Sequence, residues 1–153
     1  MSFESWLEEG RLKRHKAARQ EIASLAALAD RRLADSRAAG VSAEGRFMLA
    51  YHAALALATA ALHAAGYRTS SNLPGHHAVT VASLEFTMRA DPRVVSTLDA
   101  WRKKRHRTTY DGAEVSEHEL RELISLVEKL QVVFAAWLRA EHPELGPGAR
   151  RSP

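Results

Sequence analysis

The sequence predicts an all-α protein, an antiparallel bundle of about five helices. Apolar residues recur at steps of three and four through most of the 153 residues, which is the period of an amphipathic helix. No segment alternates polar and apolar residues for long enough to predict a sheet. Alanine, which favours helix and close helix approach, supplies much of the apolar 46%. A chain of this length buries one sizeable core, so we expect one domain.

The first three helices follow from apolar stripes and the residues that interrupt them. Residues 17–37 and 42–65 each carry a regular stripe, and a glycine follows each segment. Residues 68–75 are rich in Ser, Asn, Pro and Gly, as is typical of a surface loop. A shorter third helix is predicted over 76–88.

The last two helices have strong start signals. The Asp91-Pro92 pair predicts the beginning of a fourth helix, which continues through the basic segment to Gly112. A capping box at Ser116 and Glu119 predicts a fifth helix that ends near residue 141. This fifth helix has the most regular apolar stripe in the chain.

The ends of the chain are predicted to differ from the bundle. Residues 1–145 are expected to form the single domain, and the Gly- and Pro-rich residues 146–153 a disordered tail. Residues 5–16 fit either a short helix or an arm.

The composition excludes several classes of protein. There is no cysteine, so a disulfide framework, a thiolate metal site and a thiol nucleophile are excluded. The first residues lack a basic stretch followed by an apolar one, so we expect no secretory signal. The most apolar run, 47–65, consists mainly of alanine and includes polar residues, so we expect no membrane span and a cytoplasmic protein.

Positive charge is concentrated in one segment. The net charge of +4 is compatible with a polyanionic partner. Six basic residues, counting His106, fall within 102–107. Two other basic groups, within 11–16 and at Arg150-Arg151, are interpreted as solvated surface. The segment 102–110 is therefore the strongest candidate for a functional site.

A helix through this segment has distinct faces. Residues four apart are neighbours on a helix, so Arg102, His106 and Tyr110 share one face. Arg105 continues the apolar stripe and is expected to point toward the bundle. The side chains of Lys103 and Lys104 are expected to point away from it, into solvent.

An arginine at a buried seam needs an anionic partner. One alternative is an internal ion pair between Arg105 and Glu85 or Asp99. The other is a phosphodiester, whose developing charge arginine donors stabilise while a histidine activates a ribose 2'-hydroxyl or protonates a leaving oxygen. The second alternative predicts metal-independent cleavage of RNA.

The stretch from Trp101 to Asp111 resembles the C-terminal signature of HEPN domains. In that signature a helix bears Arg, a polar residue, three variable positions and then His or Tyr. The segments 46–67, 75–77 and 137–145 also resemble small bacterial HEPN proteins, so the likeness covers most of residues 4–145. The resemblance implies a helical bundle that dimerises and is encoded beside a minimal nucleotidyltransferase, as toxin and antitoxin. Active members are metal-independent ribonucleases whose Arg and His converge across the dimer.

The resemblance also implies residue roles. Arg105 stands at the family arginine, His106 at the polar position, and Tyr110 where ribonucleases more often carry the closing histidine, so these three are the predicted catalytic residues. Tyr110 is in addition a candidate acceptor for adenylylation by the partner. No metal or cofactor is expected. The residues predicted to bind substrate are Arg102, Lys104 and Arg107.

An alternative function keeps the same residues without catalysis. In it the protein is a non-catalytic HEPN module that binds a nucleotidyltransferase, a nucleotide or nucleic acid. His76 and His77 have no third ligand at metal spacing, so a position facing substrate or partner is favoured for them over metal binding. His52 and His63 are interpreted as half-buried structural groups. Core or dimer packing is the interpretation of the large aromatic residues Trp6, Trp101, Phe134 and Trp137.

Overall fold

The computed structural model describes residues 2–147, most of which are helical. Its long helices are α2 (Arg19–Asp35), α3 (Ala43–Ala64), α6 (Pro92–Asp111) and α7 (Glu117–Glu141). Its short helical elements are α1 (Phe3–Glu8), α4 (His76–Ala82), α5 (Leu84–Thr87) and a 3-10 turn at Pro143–Leu145. Two short strands are β1 (Leu12–Arg14) and β2 (Tyr67–Thr69). The prediction of an all-α helical bundle is confirmed.

Predicted helix boundaries agree with the structure where a local cap sets them. The Ser42 hydroxyl accepts a hydrogen bond from the Gly45 N–H at 3.1 Å and begins α3. The predicted third helix, in contrast, is divided into α4 and α5 at Ser83. The buried Ser83 hydroxyl donates to the Thr80 carbonyl at 2.6 Å, a side-chain bond of the kind that bends helices.

Helix α3 is the centre of the core. It packs against both α2 and α7, and its many buried alanines let α2 approach closely. By length and composition α3 is apolar enough to cross a membrane, but 67% of its most apolar window is buried inside the protein. Such burial is that of the central helix of a bundle.

The expectation that the chain contains no sheet is wrong in one place. Strand β1 pairs antiparallel with β2, with Leu12 opposite Thr69. Each strand has three residues, which is too short to give an alternating pattern in the sequence. Trp6 and Leu12 are buried against Leu62 of α3 and hold this pair on the bundle. The segment 5–16 is therefore helix α1 followed by β1.

The folded unit extends slightly beyond the predicted boundary at residue 145. Gly146 is buried, and its carbonyl accepts a hydrogen bond from the Arg19 Nε at 3.1 Å. Residue 146 therefore belongs to the bundle. Of the predicted tail, residues 148–153 lie outside the described part of the chain.

Candidate functional site

The basic segment lies on α6, a continuous helix with defined ends. Asp91 Oδ1 accepts a hydrogen bond from the Arg93 N–H at 2.9 Å, and Pro92 occupies the first turn. Gly112 ends the helix at φ +68°, in the left-handed region that favours glycine, and its N–H donates to the Arg107 carbonyl. Residues 102–110 therefore keep helical spacing, as the sequence predicts.

One stripe of α6 faces α3. The ring of Trp101 meets Phe47 edge-on, with 5.5 Å between ring centroids. One turn later, the Cζ of Arg105 lies 5.9 Å from the centroid of the Tyr51 ring. Arg105 thus points toward the bundle, which confirms the predicted orientation.

Unpaired buried polar atoms are concentrated at this contact. Among residues 2–147, four buried side-chain atoms have no hydrogen-bond partner: Trp101 Nε1, Arg105 Nε, Thr108 Oγ1 and Tyr51 Oη. Three of them lie on α6 at steps of four and three, and the fourth belongs to the residue beneath Arg105. Such atoms are rare, and each costs about 1–3 kcal/mol when it stays unpaired. Among residues 2–147, buried polar atoms without a partner are thus confined to the contact between α6 and α3.

The internal ion pair considered for Arg105 is not formed. Asp99 Oδ1 instead accepts a hydrogen bond from the Arg102 Nε at 2.8 Å, and the Lys103 Nζ lies 3.5 Å from Asp99 Oδ2. Burial opposes the ionisation of Asp99, but Arg102 and Lys103 hold its pKa below the usual value. Among the described residues, neither Asp99 nor Glu85 lies at ion-pair distance from Arg105. Of the two alternatives for Arg105, the internal ion pair is therefore not observed.

His52 and His77 add uncharged imidazoles near Arg105. His52 follows Tyr51 on α3, and His77 lies in the first turn of α4, which packs against α6. Burial lowers the pKa of both histidines, and the charge of Arg105 lowers it further. Both side chains are therefore neutral at neutral pH and can accept a proton. We call Tyr51, His52, His77, Arg105 and Thr108 the Arg105 site.

His106 and Tyr110 lie on an exposed face of α6. Their ring centroids are 4.6 Å apart, which confirms that the two residues share a face. The Tyr110 residue is 72% exposed, and His106 is exposed as well. The three predicted catalytic residues are thus divided between a recessed Arg105 and an exposed His106–Tyr110 pair.

The expectation that Lys104 points into solvent is wrong. Its side chain is only 18% exposed, and its Nζ lies 3.6 Å from Glu119 Oε2 at the start of α7. Lys104 and Arg107 line a shallow groove of about 350 Å³ between α6 and α7, together with Glu119. Of the three residues predicted to bind substrate, these two line the groove beside α7, and Arg102 is held by Asp99.

Tyr51, His52 and His77 are members of the Arg105 site that the sequence did not assign to it. Tyr51 belongs to the apolar stripe of the second predicted helix, where nothing separates it from an ordinary core residue. His77 did carry a signal, because it follows the longest predicted loop. Convergence of these three residues on Arg105 depends on how α3, α4 and α6 pack, which the sequence does not display.

His76 and His77 are not joined by a third metal-ligating side chain among residues 2–147. Their rings contact each other, with 4.3 Å between centroids. The described residues contain one group of three such side chains, His15, Glu21 and His63, where β1, α2 and α3 meet. No such group of three metal-ligating side chains is found at the Arg105 site among the described residues. What that site contains is hydrogen-bond donors and neutral imidazoles.

Comparisons of the chain with models of protein families, with curated proteins and with solved structures found no match.

Proposed function

We propose that this protein is a metal-independent endoribonuclease of the HEPN toxin kind, in which the Arg105 site holds the scissile phosphate. The observation that carries the proposal is the set of unpaired buried polar atoms, Arg105 Nε, Thr108 Oγ1 and Tyr51 Oη. A ligand that pairs with several donors at once is an anion with several acceptor oxygens, such as a phosphodiester. The net charge of +4 favours a polyanion such as RNA as the source of that phosphate.

The donors suit a phosphate that gains charge during reaction. Burial raises the pKa of Tyr51, so the hydroxyl stays protonated and can donate a hydrogen bond to a phosphate oxygen. Within residues 2–147, Arg105 Nε has no hydrogen-bond partner, and Asp99 pairs with Arg102 and Lys103 instead of with Arg105. Hydrogen bonds to developing charge are stronger in such a recessed place than in water, and this is the usual largest contribution to catalysis.

Neutral His77 is the base in the proposed step. Its imidazole takes the proton from a ribose 2'-hydroxyl, the 2'-oxygen bonds to phosphorus, and the bond from phosphorus to the next 5'-oxygen breaks. The leaving 5'-oxygen takes a proton from a protonated histidine or from water. The products are a 2',3'-cyclic phosphate and a 5'-hydroxyl end. This chemistry uses no metal and no cofactor.

The proposal includes a cytoplasmic homodimer and a minimal nucleotidyltransferase as antitoxin. In a dimer, His106 of one protomer can protonate the leaving oxygen at the Arg105 site of the other. The apolar residues Val132 and Val133 are exposed on α7 and offer surface for association. Size-exclusion chromatography with light scattering measures the oligomeric state directly, and a monomer at all concentrations contradicts the dimer.

RNA cleavage in the presence of EDTA tests the activity. We expect wild-type protein to cut RNA and leave 2',3'-cyclic phosphate ends. Arg105→Ala and His77→Ala are expected to lower the rate at least about 100-fold, the usual scale for loss of a positioned acid, base or charge donor. The matched control is Arg93→Ala, because Arg93 lies on the same helix with a side chain that is 93% exposed. That variant should cut RNA at the wild-type rate.

Two results contradict the enzymatic proposal. One is equal cleavage by wild-type protein and Arg105→Ala, which indicates a contaminating nuclease. The other is absence of cleavage on any RNA while the protein remains folded by circular dichroism. His106→Ala separates the two acid sources, since loss of activity in that variant assigns the acid to His106 and full activity assigns it to another group or to water.

A non-catalytic module that binds a nucleotidyltransferase is the second candidate, and the exposure of Tyr110 favours it. A phenol that is 72% exposed at the end of α6 is accessible to a modifying enzyme. Intact-mass measurement of the protein, purified after co-expression with a nucleotidyltransferase encoded beside it, tests this. We expect one added nucleoside monophosphate, absent from Tyr110→Phe. An unmodified mass for wild-type protein, with no complex formed, contradicts this candidate.

A further inference from the structure

Three potential metal ligands converge away from the Arg105 site. His15 directly follows β1, Glu21 lies in the first turn of α2, and His63 lies in the last turn of α3. Glu21 Oε2 is 2.7 Å from His15 Nε2 and 2.5 Å from His63 Nδ1, and the two imidazole centroids are 4.8 Å apart. One ligand atom from each of the three residues lies within 4.8 Å of the other two.

We propose that His15, Glu21 and His63 form a binding site for a divalent transition metal, with Zn²⁺ as the ion that fits the donors. Two imidazoles and one carboxylate are a donor set that Zn²⁺ uses, and imidazole nitrogen excludes the oxygen-preferring Mg²⁺ and Ca²⁺ as first choices. The three side chains are between 20% and 30% exposed, so water can reach the fourth position of a tetrahedral ion.

The observed distances require only a small adjustment for metal entry. Zn²⁺ bonds of about 2.0–2.2 Å in tetrahedral geometry place ligand atoms about 3.3 Å apart. The hydrogen-bonded contacts of Glu21 with His15 and His63 are shorter than that by less than 1 Å, about the movement that a side-chain rotation provides. The ion would therefore replace the hydrogen bonds by which Glu21 already holds His15 and His63 together.

The backbone fixes His15 in place. Its N–H donates to the Gly66 carbonyl at 2.8 Å, directly beside the pairing of β1 with β2. Gly66 has φ +100°, a conformation that side chains disfavour, and a Cβ there would meet the His15 carbonyl at 3.8 Å. The Gly66 N–H also donates to the carbonyl of His63, in the last turn of α3, at 3.0 Å, so the end of α3 positions two of the three ligands.

A bound metal would link three elements, of which α2 and α3 already pack against each other. It would cross-link β1, α2 and α3, and so fasten the N-terminal segment to the bundle. The site is separate from the proposed ribonuclease centre, since His63 lies about 16 Å along α3 from His52. From the sequence no metal is expected, since ligands at 15, 21 and 63 have no motif spacing that reveals them, and the proposed site departs from that expectation.

Calorimetric titration of EDTA-treated, dialysed full-length protein with Zn²⁺ tests the site. We expect one Zn²⁺ per chain and a rise in thermal midpoint on binding. His63→Gln and Glu21→Gln should each weaken binding at least about tenfold, the scale known even for residues that only support a ligand. The matched control is His118→Gln, because His118 lies 3.1 Å from Glu122 on the exposed face of α7 and makes only a two-residue group. That variant should bind like wild type.

Co²⁺ in place of Zn²⁺ gives a test on the unaltered protein that needs no variant to fold. We expect visible ligand-field bands of a tetrahedral or five-coordinate ion with nitrogen and oxygen ligands. The octahedral spectrum of free Co²⁺, absence of saturable Zn²⁺ binding to wild-type protein, or equal affinity of wild type and His63→Gln would overturn the proposal. RNA cleavage in EDTA is independent of each of these outcomes.

Discussion

The Arg105 guanidinium lies over the ring of Tyr51, with 5.9 Å between Cζ and the ring centroid. Contacts of this kind contribute about 0.5–2 kcal/mol and hold both side chains in one orientation. The Tyr51 hydroxyl and the Arg105 Nε remain unpaired in this arrangement. The pair is thus packed through the ring face while its polar atoms are left for another molecule.

We expect Tyr51→Phe to separate stability from ligand binding. The ring and its contact with Arg105 are kept, and a buried hydroxyl without a partner is removed, so the thermal midpoint should stay unchanged or rise. Affinity for RNA should fall at least about tenfold if the hydroxyl binds phosphate, since one charge-assisted hydrogen bond is worth about 1.5–3 kcal/mol. Thermal unfolding and fluorescence anisotropy with labelled RNA measure the two effects. A destabilised protein with unchanged RNA affinity contradicts a ligand-binding role for Tyr51.

The stability of the protein should fall as pH decreases below about 6.5, the ordinary histidine pKa. Burial lowers the pKa of His52, His63 and His77 in the folded state. The unfolded chain therefore binds more protons than the folded chain between the folded and unfolded pKa values, and stability increases with pH in that window. Above the unfolded value the contribution is complete and the curve flattens.

Denaturant unfolding at several pH values measures this dependence. His77→Gln should reduce the slope, because one of the three half-buried histidines no longer titrates. His118→Gln, which replaces an exposed histidine on α7, is the matched control. A slope that His77→Gln does not alter would show that His77 contributes nothing to the pH dependence.

Lys104 is expected to act on stability more than on RNA binding. Its Nζ lies 3.6 Å from Glu119, the residue that also accepts a hydrogen bond from the Ser116 N–H at the start of α7. Lys104→Ala should lower the free energy of unfolding by about 0.5–1 kcal/mol, the upper range for a partly exposed ion pair. RNA affinity should change less than about threefold, the effect of removing one diffuse charge. Lys129→Ala, an exposed lysine on α7, is the control for charge alone, and a larger loss of RNA affinity in Lys104→Ala than in this control contradicts the structural role.

Local signals in the sequence predicted most of the fold. The starts of α3, α6 and α7 can be predicted without tertiary information. Each is set by an N-cap that acts within one helical turn: Ser42, Asp91 and Ser116. The division between α4 and α5 is not, because Ser83 can bond to the preceding turn or remain in a straight helix according to what packs around it. The strands β1 and β2 were not predicted for the same reason, because their pairing depends on the packing of Trp6 and Leu12 against the bundle.

The candidate site was predictable only along α6. Helical spacing gave the direction of Arg105 and the contact between His106 and Tyr110, because both follow from residues one turn apart. The partner that Arg105 lacks, and the approach of Tyr51 and His77, depend on contacts between helices far apart in the chain. Asp99 was a candidate partner of Arg105. In the structure Arg102 and Lys103, about one turn away on the same helix, bind it instead.

Asp99→Asn should strengthen RNA binding. The carboxylate binds Arg102 at 2.8 Å and Lys103 at 3.5 Å, so it competes with phosphate for two cations next to the Arg105 site. Its removal frees both side chains, and affinity for RNA at low salt should rise several-fold with a steeper dependence on salt concentration. The matched control is Glu141→Gln, which changes the net charge equally but lies at the far end of α7, about 33 Å along that helix from Glu119. If both variants raise the affinity alike, net charge alone is responsible; if Asp99→Asn weakens binding, Asp99 positions Arg102 for the ligand instead of competing with it.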